Sequence, residues 1–406
     1  MAVFDDFSRA TGLRAHPAKC KIYFGGVHHM VKNDILQATG FREGDIPFRY
    51  LGVPLSSRKL TIQQCYPLIE KITARIHHWS ARLLSYAGRC QLIKSVLFSI
   101  SAFWMQVLPL SQKIIQHVEA LCRSYLWSGK EGLSRKSLVS WENLCKPKSA
   151  GGLYITDLQT WNKATLRKLP WNIHLKLDRL WIRWLDTFYF KGEDVLAWQS
   201  TPNSSWILKK IVKHKTEVSS TKHWTEAINS GRYKTGAVYK ELCGNMEHVS
   251  WKHILIDNHA RPRACFTLWM ALLKRLPTKK RLVRFGIVVN LKCCFCDEEE
   301  DIQHLLFGCT YTKAIWQQVL NNLHIQHGPL EWYQEVEWMS KESKPKGAQR
   351  LILKLAFAET VYEIWHERNM RIFNDINSGM RLVDRITENI TTRCNMYRKL
   401  SIHVSM

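Results

Sequence analysis

Four cysteines and one histidine crowd into CCFCDEEEDIQHLLFGC, residues 293–309. Cys293 and Cys296 form a Cys-x-x-Cys pair, followed by His304 and then Cys309 with four residues between them. A Cys-x-x-Cys turn aims two thiolates at one point. A His-x4-Cys spacing fits a helical turn on which both side chains reach the same ion. Three thiolates and one imidazole fill the tetrahedral shell of zinc and leave no position for water, so the expected role is structural. Cys294 is the spare thiol, because its spacing to Cys296 is too tight for a good ligand pair. DEEED, residues 297–301, reads as a solvated loop. The plainer alternative is a set of reduced side chains packed without metal, since such strings also arise by chance.

The surrounding composition bears on that choice. The 12 cysteines are scattered over 406 residues, and the N-terminus lacks the basic start, apolar run and small-residue cleavage site of a secretory signal. An intracellular chain keeps its thiols reduced, and clustered thiols then read as metal ligands rather than disulfides. Lys and Arg number 59 against 34 Asp and Glu, a formal net charge of +25. That surplus predicts a polyanionic partner, RNA or DNA before an anionic membrane. The blander reading is a basic surface with no partner.

Other chemistries lack their residues. SGKEGLS does not have the Gly-x4-Gly-Lys-Ser/Thr order of a phosphate loop, and nothing pairs a nucleophilic Ser or Cys with a base.

The elements that must position the cluster are mostly helical. Ile69, Ile72, Ile76, Trp79 and Leu83 recur at three- and four-residue steps. Leu92, Ile93, Val96, Leu97, Ile100, Phe103, Trp104 and Val107 continue the pattern, and Ile114, Val118, Leu121, Cys122 and Tyr125 form a third stripe. Three amphipathic helices in succession predict a bundle. Between Lys94 and Lys113 no residue is charged, but the four serines, two glutamines and Pro109 there favour a core helix over a membrane span. Short strands are expected at KCKIYFGGV and at FRYLGVPL, closed by Pro54, and another at SLVSW. FDDFSRATGL predicts a helix stopped by Gly12, and residues 351–373 a long helix with Leu351, Leu355, Ala358, Tyr362 and Trp365 on one side. Most of the 17 tryptophans fall on apolar stripes and read as core.

Taken in order, these segments resemble the C-terminal part of the reverse transcriptase of plant LINE-type (non-LTR) retrotransposons. FSRATGLRAHPAKCKIYFGGV is similar to the segment after the palm active site, and FRYLGVPL to the primer grip. WSARLLSYAGRCQLIKSVLFSISAFWM, LWSG and VSWENLCKPKSAGGLYI resemble the thumb and connection. RPRACFTLWMALLKRLPTKKRLVRFGI with CCFC and HLLFGC resembles the reverse-transcriptase zinc-binding domain, and YEIWHERNMRIF the family's tail. The resemblance implies a mainly α chain: a helical thumb bundle with small N-terminal β pieces, plus a separate helical zinc-binding domain. The implied divisions are a palm-end and primer-grip remnant at 1–60, thumb and connection at 61–200, a linker region at 201–250, the zinc-binding domain at 251–335, and a linker with a C-terminal helical tail at 336–406. It also implies structural zinc on Cys293, Cys296, His304 and Cys309. RNA or template–primer duplex would be held through Lys19, Arg82, Arg89 and Lys94, and the cell nucleus would be the compartment.

The departures decide activity. Reverse transcriptases hold two magnesium ions on an Asp-Asp hairpin and a third aspartate from an earlier strand. Asp5 and Asp6 imitate the pair, but three residues precede Phe4 and FSRATG is not an apolar returning strand. By resemblance they lie in the helix after the catalytic strand. No strand after Cys309 carries the aspartate of a ribonuclease H site. The expectation is therefore a non-catalytic, nucleic-acid-binding fragment. The rival readings are a protein-interaction module on the same helices and zinc domain, and an active RNA-directed DNA polymerase.

Overall fold

The computed structural model describes residues 2–401 except 15, 17–19, 51, 56–59, 81–82, 135–136, 178, 203, 220–221, 345–346 and 377–380. The chain is mainly helical. Its strands, among the described residues, are four short pieces near the N-terminus. Lys21–Ile22 pairs in parallel with Arg42–Glu43, and Phe48–Tyr50 pairs antiparallel with Val53–Leu55. FRYLGVPL is thus a hairpin, with Pro54 opposite Arg49, rather than one strand. The strand expected at SLVSW is absent. Ser140 instead caps the helix Trp141–Cys145 by accepting from the Asn143 amide, a local bond that favours helix over extended chain. Asp5 and Asp6 sit exposed on the helix Ala2–Thr11, where Asp6 pairs with Arg9 at 2.7 Å.

Two compact units form, each assembled from separated stretches of chain. One comprises Met1–Lys71, Ala102–Ile115 and Asn162–Tyr239, the other Ile72–Ser101, Gln116–Trp161 and Lys240–Met406. In the first, Ile173, Leu185, Phe190, Val195, Leu208 and Ile211 form one buried cluster, and Trp171, Trp224 and Ala227 another. Residues 201–250, linker-like in composition, carry the helices Trp206–Ser219, Lys222–Ser230 and Thr235–Cys243.

The second unit is built on the 27-residue helix Ala348–Asn374, which packs on Pro262–Leu272 and Arg381–Asn395. Phe357 on this helix meets Phe307, Trp316 and Trp332 at centroid distances of 5.6–5.8 Å. Buried aromatics in tilted and stacked pairs contribute both area and geometry to a core. Pro262 occupies the first helical position, where its missing N–H costs nothing. At the AGGL turn Gly151 has φ +84°, and a Cβ on Gly152 would lie 2.0 Å from the Lys146 carbonyl oxygen. Only glycine fits there, and the turn presents the Gly151 carbonyl to Trp269 Nε1, which donates to it at 2.8 Å.

The helix Tyr86–Val107 is long and apolar enough to cross a membrane by length and composition alone. A core helix passes the same test, and Cys90, Ile93, Leu97, Trp104 and Met105 are buried in protein. A π-turn at Ile93–Leu97 interrupts it and shifts the stripe, which leaves Phe103 exposed. Leu83, expected on the preceding stripe, is fully exposed because its helix ends at Ser80.

Glu119, 8% exposed, accepts from the Leu158 amide at 3.3 Å. Burial, with Asp157 nearby, pushes its carboxyl up to about 7. Its folded value lies above its unfolded one, so its contribution to stability is complete below about pH 4.5 and is lost as pH rises through about 7. Glu119→Gln, which keeps the acceptor, is expected to flatten that loss in urea unfolding curves taken from pH 5 to 8. An unchanged pH profile would contradict it.

Candidate metal centre

The structure brings Cys293, Cys296, His304 and Cys309 together, with one donor atom from each lying within 4.8 Å of all the others. Among the described residues this is the group of cysteine, histidine and acidic side chains that so converges. The first pair sits on a knuckle closed by an isolated bridge between Lys292 and Glu299, with the Cys293 amide donating to the Glu298 carbonyl at 2.7 Å. The second pair departs from the helical turn that the spacing predicts. Leu306 (φ −100°, ψ 92°) and Phe307 (φ 74°) break the helix, and Gly308 passes so close to the Gln303 carbonyl oxygen that a Cβ would lie 2.7 Å from it. This kink buries Leu305, Leu306 and Phe307 completely while turning Cys309 back towards His304. Thr312 locks it, accepting from the Phe307 amide and donating to the Cys309 carbonyl, both at 3.2 Å.

The donor set fits zinc. Tetrahedral zinc with bonds of about 2.3 Å to sulfur spaces its sulfurs about 3.8 Å apart, and Cys309 Sγ lies 3.7 Å from Cys296 Sγ. Cys296 Sγ and His304 Nε2, at 3.1 Å, are closer than two ligands of one ion and share a hydrogen bond. His304 Nδ1 faces Glu298 Oε2 at 3.0 Å. A carboxylate on the far nitrogen fixes the tautomer that leaves Nε2 free for a metal. Thiol donors from Cys294 and Cys309, with the Phe295 and Cys296 amides, hold the Cys293 thiol far below its ordinary range. Cys294 and Cys309, which donate to Cys293, are raised by that bond and by burial. Cys294 lies outside the converging four.

The acidic loop is not wholly solvated. Glu300 is completely buried and faces Arg368, itself 3% exposed, with Arg368 Nη2 2.6 Å from Oε1 and Nε 3.2 Å from each carboxylate oxygen. It also accepts from the Lys279 amide at 2.9 Å. Beside it Arg371 lies over the Phe295 and Tyr311 rings, which stack at 4.8 Å. The knuckle is therefore tied to the long helix by a buried ion pair and a cation–π stack. Neither Glu298 nor Glu300 could be told from its neighbours in DEEED by sequence, because the residues that select them lie elsewhere in the chain.

The four residues expected to meet nucleic acid fare differently. Lys19 and Arg82 lie outside the described residues. Arg89 donates to the Leu126 carbonyl at 3.2 Å and lies over the Tyr86 ring. Lys94 Nζ donates to the Leu153 carbonyl, and burial lowers its ammonium below the ordinary range, with Lys148 adding repulsion. Both half-buried cations thus serve carbonyls, one near a helix end and one after a turn. Elsewhere in the unit, burial lowers the Arg281 guanidinium below its ordinary range, with Arg275 and Arg284 adding repulsion, and its Nη1 donates to the Lys274 carbonyl at 3.1 Å.

Residues 233–316, which include all four converging ligands, match the family described as zinc-binding in reverse transcriptase. The chain is also similar to an Arabidopsis thaliana protein named "Putative ribonuclease H protein". The two are 26% identical over 194 residues, 44% of this chain and 31% of the relative, so the match spans about a third of that protein's length.

Proposed function

We propose that this chain is a nucleic-acid-holding part of a retrotransposon-type reverse transcriptase, stapled by structural zinc and without a polymerase centre of its own. The observation that carries the reading is the convergence of three thiols and an imidazole inside the segment matched to the reverse-transcriptase zinc-binding family. Cys293, Cys296, His304 and Cys309 would hold the ion, and a closed four-ligand shell would supply rigidity rather than catalysis. LINE origin, a plant source and a nuclear setting follow from the sequence resemblance and belong to the same proposal.

Binding of RNA or template–primer duplex draws support from the net charge of +25. Arg275, Arg281 and Arg284, close together in sequence, add to it, since neighbouring cations favour a polyanionic partner. Lys19 and Arg82 remain candidates for phosphate contact on the resemblance alone, and Arg89 and Lys94 contribute chiefly by holding their helices. Absence of nucleotidyl transfer is proposed because Asp5 and Asp6 lie on an exposed helix rather than a hairpin. The protein-interaction reading keeps one observation of its own: Val283, Phe285, Ile287 and Val288 are exposed together beside these arginines.

Salt separates the two. Binding of the zinc-loaded chain to labelled RNA and duplex is expected to weaken steeply as salt rises, about 10³- to 10⁵-fold between 50 and 200 mM if six to ten phosphates are engaged. Arg275→Glu with Arg284→Glu should shallow the slope. Salt-insensitive association with a protein and none with nucleic acid would overturn the proposal, as would magnesium-dependent primer extension above background.

A further inference from the structure

We infer that the first unit carries its own site for single-stranded nucleic acid, a groove edged by the exposed ring of Trp184 and by the cations Lys168 and Arg179. The inference rests on the reading that the chain binds nucleic acid, but it assigns a place remote in sequence from the zinc module.

Of the 17 tryptophans, Trp184 is the one the structure exposes, at 50%; the other sixteen are buried or half-buried. It does not stand alone. Leu180, Trp184 and Phe188 recur at four-residue steps along Leu180–Leu185 and Asp186–Phe190, and all three are exposed, Phe188 by 62%. Ile182, Leu185 and Phe190 on the same segment are buried in the core of the unit. The segment is therefore anchored by one face and presents apolar rings on the other. Trp184 packs obliquely on Phe188 at 5.4 Å and on Tyr189 at 5.5 Å, which limits its rotation and holds a ring face ready.

Trp184 also lines a groove of about 650 Å³ together with Lys168, Arg179, Trp181 and Asn172. Among the described residues of its lining, the charged ones are Lys168 and Arg179. A purely apolar partner would make no use of the positive charge that these described lining residues carry. A nucleic-acid strand satisfies both halves of the surface: unpaired bases stack on the rings while phosphates meet the cations. Duplex is disfavoured because its base faces are already stacked within the helix.

The test uses the full zinc-loaded chain, fluorescein-labelled oligothymidylate and a duplex of equal length. Trp184→Ala is expected to weaken oligothymidylate binding roughly five- to a hundredfold, a loss in the range of one stacked base, with duplex binding little changed. Trp184→Phe should keep most of the affinity, and Lys168→Glu with Arg179→Glu should weaken it in a salt-dependent way. Oligothymidylate should also protect the wild type from acrylamide quenching, a protection lost in Trp184→Phe. Unaltered oligothymidylate affinity in Trp184→Ala, or equal losses for both probes, would overturn the site while leaving nucleic-acid binding elsewhere intact. A protein ligand on this face that oligothymidylate cannot displace would also overturn it. Failure of the wild type to bind any probe would remove the broader proposal as well.

Discussion

Excess EDTA, or the substitution Cys309→Ala, is expected to strip zinc from the chain and release residues 293–309 as a protease-sensitive loop. Structural zinc in small modules contributes about 10–16 kcal/mol of apparent binding energy near neutral pH. Little else within the knuckle replaces it, since an isolated bridge and a few turn bonds are its own secondary structure. The loss should reach the interior, because Cys309 is both a ligand and the residue before the helix Thr310–Asn322. Its displacement frees the kink that buries Leu305, Leu306 and Phe307. Elemental analysis with limited proteolysis measures both effects. Cys294→Ser is the control and should retain the metal. A wild-type chain prepared with ample zinc that contains none, or a Cys309→Ala chain as protease-resistant as the parent, would sink the assignment.

Arg368→Met is expected to lower stability by about 3–5 kcal/mol, the usual cost of stranding one member of a buried ion pair. The carboxylate left behind is that of Glu300, completely buried and bonded to the Lys279 amide, with no access to water to repay its solvation. Combining Arg368→Met with Glu300→Gln should recover most of the loss, since a neutral amide still accepts the Lys279 amide. The midpoint of urea unfolding checks both. A loss under 1 kcal/mol in the single variant, or no recovery in the double, would show that this pair is not a principal tie between knuckle and helix.

The same helix shows where sequence reading stops. Its apolar residues announce themselves, and Leu355 and Ala358 are buried as their spacing predicts. Yet Glu359, Glu363 and Glu367, one turn apart, are buried as well. Acidic residues at that spacing read as a solvent face until their partners are known. Arg261 Nε donates to Glu359 at 2.8 Å and Arg385 Nε to Glu363 at 2.9 Å, one partner 98 positions upstream and the other 22 downstream. Nothing local encodes either pairing. The convergence of Cys293, Cys296, His304 and Cys309 was legible for the opposite reason, as their chemistry is rare and their spacing short. Which cations would meet a phosphate was the least legible, because lysine and arginine occur on every face. Whether Arg89 meets a phosphate or the Leu126 carbonyl depends on a helix end 37 residues away.

The interleaving of the two units bears on how the chain is made. Tyr86–Leu92 packs on Pro262–Leu272, so the earlier helix leaves the ribosome well before its neighbour exists. At about 5–20 residues per second the wait is of the order of ten to forty seconds. Through that interval the apolar side of Tyr86–Val107 has no finished surface to lie against. A shortened chain that stops before residue 262 is therefore expected to leave the side of Tyr86–Leu92 that packs on Pro262–Leu272 uncovered.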